Sequence, residues 1–349
     1  MLKKILISGN EAIAEGAIRA GCDLYAGYPI TPQNELIAYM AKHMPRAGRV
    51  FIQAESELAA INMVFGAAAT GARAMTSSSS PGISLKQEGI SYMAGTELPC
   101  VIVNIMRGGP GLGNIAPSQA DYFQATRGGG HGDYRTIVLA PACVQEAYDF
   151  MPLAFDLADK YRSPVIILSD GMLGQMMEPL ELKEYKPKPL AKPWALTGCK
   201  GRNANIIRSL YLKDGALEEL NLKLQEKYKA IQNSQQRAET AFLQDAEIII
   251  VAYGAMARIS EGVVNDLRKK GKRIGLIRPV TLWPFPEGEF RKLAAGKKKL
   301  KFLVVEMSCG QMVEDVRLAL DGRFPVEFLG RAGGGIPNGG QILKKVESL

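Results

Sequence analysis

Short apolar runs alternate with longer stretches of helical rhythm along the first half of this 349-residue chain. "KILIS", "DLYAG", "RVFIQA", "RAMTSS", "CVIVNIM", "TIVLA" and "PVIILSD" read as strands. Between them, stretches such as 55–70 and 143–159 repeat apolar residues at three and four, the spacing of one helix face. That alternation predicts βα units around a mostly parallel sheet covered on both faces. After Asp170 the rhythm stops. "EYKPKPLAKPWALTG" is rich in proline and lysine and reads as a connector, followed by a charged helical pattern at 215–243. Alternation resumes with "AEIIIVAYG", "RIGLIRP", "KFLVVEM" and "VEFLGRA". The pattern therefore predicts α/β domains at 1–190 and 245–349, joined by a linker with a long helix at 191–244.

Composition narrows the chemistry. Hydrophobic residues make up 47% of the chain, enough for a sizeable core at this length. No apolar stretch approaches the roughly 20 residues of a membrane span, and the apolar run of "MLKKILISGNEAIAEG" is short for a signal peptide. A cytoplasmic location without a membrane partner is expected. Much of the formal charge of +8 sits in "RKKGKR" (268–273) and "GKKKLK" (296–301). Each run precedes a strand-like segment, where a solvated turn is expected rather than a nucleic-acid surface. Five cysteines form no CxxC pair, and His43 and His131 are far apart. No disulfide framework, metal site or chain-borne iron–sulfur cluster is expected. Carboxylates, hydroxyls, arginine or a bound cofactor must do the work.

In open α/β sheets, ligands bind beyond the carboxyl ends of strands, where loops meet helix N-termini. Four such junctions stand out: "YPITP", "QAESELAA", "TSSSSPG" and "NIMRGGPGLGN". Pro32 suits the first position of a helix, which puts Thr31 at the N-cap. The Thr31 hydroxyl either caps that helix or faces a ligand. Glu55 and Glu57 fall in the first turn of a helix of small residues. There they complement the positive helix end, or one turns inward to relay a proton. Any of the serines 77–80 can cap the next helix. Arg107 follows an apolar strand and precedes three glycines within four residues, so it forks onto a carboxylate or phosphate, or makes a surface ion pair. His131, in a long loop, reads as structural or solvent-facing. Residues 111–116 formally fit GxGxxA, the one hint of a nicotinamide-dependent dehydrogenase. "RGGP" separates them from the strand and no apolar helix follows, so they read as a flexible glycine loop.

"GYPITPQNE", "AESELAAINMVFGAAATGARAMTSSSSPGISLKQEGISYMAG" and "RGGPGLG" together closely resemble the α-type subunit of the 2-oxoacid:ferredoxin oxidoreductases. The likeness is nearest to the branched-chain, 3-methyl-2-oxobutanoate enzymes. "GLIRPVTLWPFP" and "GRAGGGIPNGG" look like that subunit's C-terminal domain. The resemblance implies a thiamin-diphosphate-binding, pyrimidine-type parallel-sheet domain followed by a transketolase C-terminal-like α/β domain. It places the cofactor between two chains. A β-type partner would hold the diphosphate and Mg²⁺, and γ and ferredoxin-like δ subunits would complete the enzyme. The [4Fe-4S] clusters are likewise expected on partners. This sequence agrees by omission, for it has no GDG followed at suitable distance by asparagine.

Residue by residue, Glu57 matches the glutamate that hydrogen-bonds N1′ of the aminopyrimidine and favours the imino tautomer, which takes the thiazolium C2 proton. Thr31 and Arg107 match the residues that hold the substrate carboxylate. Pro29, Ile30, Ser79 and Ser80 are expected on the cofactor. The reaction implied is oxidative decarboxylation of a 2-oxoacid with coenzyme A to acyl-CoA, CO2 and reduced ferredoxin. Two alternatives stand beside it: 2-oxoglutarate as the substrate, or a non-catalytic transketolase-like structural subunit.

Overall fold

The computed structural model describes residues 4–187, 190–296 and 299–349. Lys188 and Pro189 of the connector, and Lys297 and Lys298 of the second basic run, lie outside the described residues. The strands are β1 (Lys4–Ser8), β2 (Leu24–Gly27), β3 (Val50–Gln53), β4 (Ala74–Ser78), β5 (Cys100–Met106), β6 (Ile137–Leu139) and β7 (Pro164–Asp170), then β8 (Met177–Glu181) and β9 (Ala238–Ala241). Beyond them come β10 (Ile248–Val251), β11 (Ile274–Pro279), β12 (Thr281–Trp283), β13 (Lys301–Glu306) and β14 (Val326–Gly330).

The first sheet has the order β12-β6-β7-β5-β4-β2-β3, and every pairing in it except that of β12 is parallel. Its central strands β5 and β7 are buried at every position, which is why they read as unbroken apolar runs. The second sheet, β14-β13-β10-β11-β9, is parallel apart from β9. Both match the expected α/β class.

Three elements differ from the sequence pattern. "KILIS" does not enter the parallel sheet but pairs antiparallel with β8 in a two-stranded ribbon. Its Lys4 and Leu6 are exposed, so it has one wet face that a doubly covered sheet could not accept. The helix expected over 215–243 is Ala216–Ser234, and the residues beyond it give β9. There Arg278 of β11 donates to Glu239, and ladder pairing overrides the local helical pattern. The third is β12, whose residues lie among those assigned to the C-terminal domain yet pair with β6 of the first sheet.

The first four helices are α1 (Gly9–Arg19), α2 (Asn34–His43), α3 (Glu57–Ala69) and α4 (Ser80–Gly95). The chain passes from β2 to β3 on one side and returns to β4 on the other, so the sheet's topological switch lies between β2 and β4. A crevice opens at such a point, beyond the carboxyl ends of the strands. All four junctions singled out above leave parallel strands at that edge. Between the sheets, the buried Gln119 donates from Nε2 to the Tyr253 carbonyl and accepts at Oε1 from Met307 N–H. Among the described residues, no helix is long and apolar enough to cross a membrane.

Candidate active site

α3 starts where Ser56, in extended backbone, accepts a hydrogen bond at its hydroxyl from Ala59 N–H at 3.1 Å. Glu57 is the first helical residue and is 7% exposed, whereas Glu55 lies ahead of the cap and is exposed. The two acids therefore do not share the first turn, because the serine between them ends the extended segment. Glu57 is buried by a glycine. A Cβ built on Gly82 of α4 would lie 2.6 Å from Glu57 Oε1 and 2.0 Å from Ser78 Oγ. Only a residue without a side chain lets carboxylate and hydroxyl lie against that helix.

The serines do not cap α4 as expected. Ser79 occupies the N-cap position, but its side chain makes no cap bond. Ser80 N–H donates instead to Asn104 Oδ1 at 3.1 Å. The hydroxyls of Ser78 and Ser79 are buried without a partner. Ser80 is differently placed. Its hydroxyl donates to Asp121 Oδ2 at 2.6 Å and accepts from Arg107 N–H at 3.0 Å. Asn104 also donates to Asp121 Oδ2, and burial pushes that carboxyl above its ordinary range.

Arg107 makes no surface ion pair. It is 6% exposed, with Nη1 donating to the Thr31 carbonyl at 2.9 Å and Nη2 to the Leu112 carbonyl at 3.0 Å. Its Nε is buried and unpartnered. The guanidinium is thus locked by neutral carbonyls and keeps its charge for another group. Thr31 is not the N-cap of α2. Gln33 N–H closes a turn onto the Ile30 carbonyl at 3.0 Å, which delays the helix and makes Gln33 its cap residue. The Thr31 hydroxyl accepts from Asn34 Nδ2 at 3.2 Å and remains near the surface. Pro29 is exposed and Ile30 half-buried in the same loop.

The loop after Arg107 closes on itself through Gly108 N–H to the Ala116 carbonyl, and residues 111–116 run into a bridge at Pro117 rather than a helix, the next of which is the short Tyr122–Thr126. Gly113 has φ +62, and a Cβ there would strike the Gly108 carbonyl. Asn114 Nδ2 ties the loop to the Gly333 carbonyl of the C-terminal region at 2.9 Å. His131 is exposed and donates nothing to the site.

Asn104, Lys86, Gln33, Asp121 and Gly82 escaped the sequence reading. Asn104 had a signal, a lone amide inside "VIVNIM". Lys86 had one as well, a charge on the apolar Ile83–Ile90 stripe of α4. Gln33 had none. It is completely buried, and Ser77 Oγ, which contacts Tyr25 OH at 2.6 Å, donates to its Oε1.

A buried carboxylate, orphaned hydroxyls and an unpaired guanidinium N–H gather at the switch point of a parallel sheet, with a second α/β sheet behind. Such an arrangement suits a polar ligand bound at the carboxyl edge of an α/β sheet. Residues 15–242 match the family model described as pyruvate flavodoxin/ferredoxin oxidoreductase, thiamine diphosphate-binding, and 246–342 match pyruvate:ferredoxin oxidoreductase core domain II. The chain belongs to the 2-oxoacid:ferredoxin oxidoreductase family, as an α-type subunit. Ketoisovalerate oxidoreductase subunit VorB of Methanothermobacter marburgensis is 51% identical over 99% of this chain and 97% of its own length. The 2-oxoglutarate synthase subunit KorA of Archaeoglobus fulgidus is 40% identical over 89% and 90%. A solved 2-oxoglutarate:ferredoxin oxidoreductase from Magnetococcus marinus, with 2-oxoglutarate, coenzyme A and succinyl-CoA bound, superposes with a TM-score of 0.88 at 26% identity. That match covers 99% of this chain and 65% of the other. A split-gene transketolase, an inactive β4 tetramer, shares the fold at 14% identity and a TM-score of 0.61.

Proposed function

We propose that this subunit supplies the aminopyrimidine-facing half of a thiamin-diphosphate site that oxidatively decarboxylates a branched-chain 2-oxoacid, foremost 3-methyl-2-oxobutanoate. The products are acyl-CoA, CO2 and reduced ferredoxin. The observation that carries this reading is the buried Glu57 carboxylate against Gly82, beside the unpartnered hydroxyls of Ser78 and Ser79. Buried polar atoms without partners are rare in folded proteins, and these fit a polar heteroaromatic ring that would satisfy them.

Thiamin diphosphate, when bound, supplies an electron sink for decarboxylation. Glu57 holds a proton at the ring nitrogen N1′. Ser79, Pro29 and Ile30 line the cofactor, while Ser80, the fourth expected contact, acts mainly by fixing the Arg107 backbone. Arg107 orients the substrate carboxylate with the N–H groups that its two carbonyl partners leave free, and the Thr31 hydroxyl faces the same group. Leu112, whose carbonyl holds Arg107, exposes 80% of its surface. That is an apolar neighbour suited to an aliphatic substrate rather than to a second carboxylate.

In this reading residues 1–190 form the pyrimidine-side domain, 191–244 the linker and 245–349 the transketolase-like domain. A β-type partner holds the diphosphate and Mg²⁺. The γ and δ subunits carry the path to ferredoxin through [4Fe-4S] clusters, and the complex works in the cytoplasm. Exposed Tyr28, Leu58 and Leu85 beside the site suit burial by such a partner. Ferredoxin reduction by the assembled complex, with coenzyme A and each 2-oxoacid in turn, tests the reading. We expect kcat/KM for 3-methyl-2-oxobutanoate to exceed that for 2-oxoglutarate by at least about tenfold. The reverse order would reassign the substrate. No turnover of any 2-oxoacid would leave a non-catalytic subunit.

A further inference from the structure

Lys86 is completely buried on α4, where its Nζ donates to the Thr76 hydroxyl at 2.9 Å and to the Glu57 carbonyl at 3.4 Å. Both acceptors are neutral. A charge buried without a hydrogen-bonded counter-ion is unfavourable, and an unbranched apolar side chain would fill the same stripe without that cost. The charged group whose field reaches the ammonium is Glu57, from α3. β4 offers only the Thr76 hydroxyl, and Glu88 on the same helix is exposed. The cation therefore stands behind one carboxylate and is bonded to that residue's own backbone.

We propose that Lys86 is a positioning residue for Glu57, tying the first turn of α3 to β4 and so holding the Glu57 carboxylate in the slot at Gly82. The inference rests on the reading of Glu57 given above. Burial pushes the Lys86 ammonium down to about 7, against the opposing pull of Glu57.

Assembled complexes carrying Lys86→Met, Lys86→Gln or Lys86→Arg test this by deuterium exchange at the cofactor C2 across pH, beside Glu57→Gln. Without that tie, the first turn of α3 no longer fixes where the Glu57 carboxylate lies. Exchange should slow by at least about tenfold in Lys86→Met, which has no donor, and recover in part in Lys86→Gln and Lys86→Arg, which keep one. A second readout needs no cofactor. Folded Lys86 holds fewer protons than unfolded lysine between about 7 and the ordinary 10.5, so the stability of the full chain relative to Lys86→Met should rise with pH across that window. The comparison cancels the buried cysteines and tyrosines, whose raised values pull both chains the other way. Wild-type exchange in Lys86→Met, with Glu57→Gln still slow, overturns the inference and leaves Glu57 in place. Wild-type exchange in Glu57→Gln overturns both. A difference that does not change across the window also overturns it, since Lys86 is then not held in its buried site.

Discussion

Glu57 and Arg107 owe their readiness to what surrounds them more than to their own identity. Glu57 is a first-turn acid, a place where many helices carry a carboxylate for the sake of the dipole alone. Burial against Gly82 separates it from those. Glu57→Gln keeps the shape and removes the negative charge needed opposite a protonated pyrimidine ring. Exchange at C2 should slow by at least about a hundredfold in the assembled complex, the low end for loss of a positioned acid–base group. Assembly should survive, since a first-turn acid contributes under about 1 kcal/mol to its helix. Size-exclusion chromatography and exchange on the same sample decide it. Wild-type exchange in an intact complex would pass the role to another acid, with Glu55 the first to try. Arg107 was legible as a basic residue at a strand end. Its lock of two backbone carbonyls was not, because Thr31 lies 76 positions away along the chain.

At the scale of elements, the site depends on how closely α3 and α4 approach. Gly82 and Gly89 make that approach possible: a Cβ on Gly89 would lie 2.7 Å from two carbons of Ile61. Gly82→Ala should therefore act at two levels. Overpacking of this kind costs about 1–3 kcal/mol, and the methyl group would push aside the Glu57 carboxylate and the Ser78 hydroxyl together. We expect a modest loss of thermal stability and a much larger loss of cofactor C2 exchange. Stability reduced with exchange at the wild-type rate would mean that the slot at Gly82 is packing alone. The helix of small residues was plain in "AAINMVFGAAATGA". Which glycine the carboxylate would meet depends on the docking of two helices, and no local pattern encodes that.

Besides the pairing of β12 with β6, residues that belong to neither sheet hold the whole molecule together. Gln119 is completely buried and bonds to backbone on both sides of the junction, at Tyr253 and Met307. Tyr122 OH adds a bond of 2.6 Å to Asp315. Gln119→Ala would leave the buried Met307 N–H unsatisfied, while the Tyr253 carbonyl keeps its bond from Ala257 N–H. At about 1–3 kcal/mol for such a group, unfolding should shift measurably toward lower denaturant. The loop carrying Arg107 is also fastened across the junction, by Asn114 to Gly333, so loosening the two halves should raise KM as well. An unchanged midpoint would show that Gln119 contributes nothing to the junction.

Periodicity and composition by themselves determined the strand and helix runs, the parallel class of both sheets and the four junctions where ligands gather. These follow from local chemistry, because an apolar run or a helical stripe must find cover wherever it lies. The family resemblance of those junction motifs pointed to Glu57, Thr31 and Arg107. Tertiary structure alone decided that "KILIS" forms an outlying ribbon, that 238–241 is a strand, and that β12 crosses to the first sheet. It also decided that Thr31 lies in a turn ahead of its helix and that a lysine stands behind Glu57. Each of these depends on pairing or burial between segments distant in sequence. The free energy of such contacts is shared between both partners, and so neither segment carries it alone.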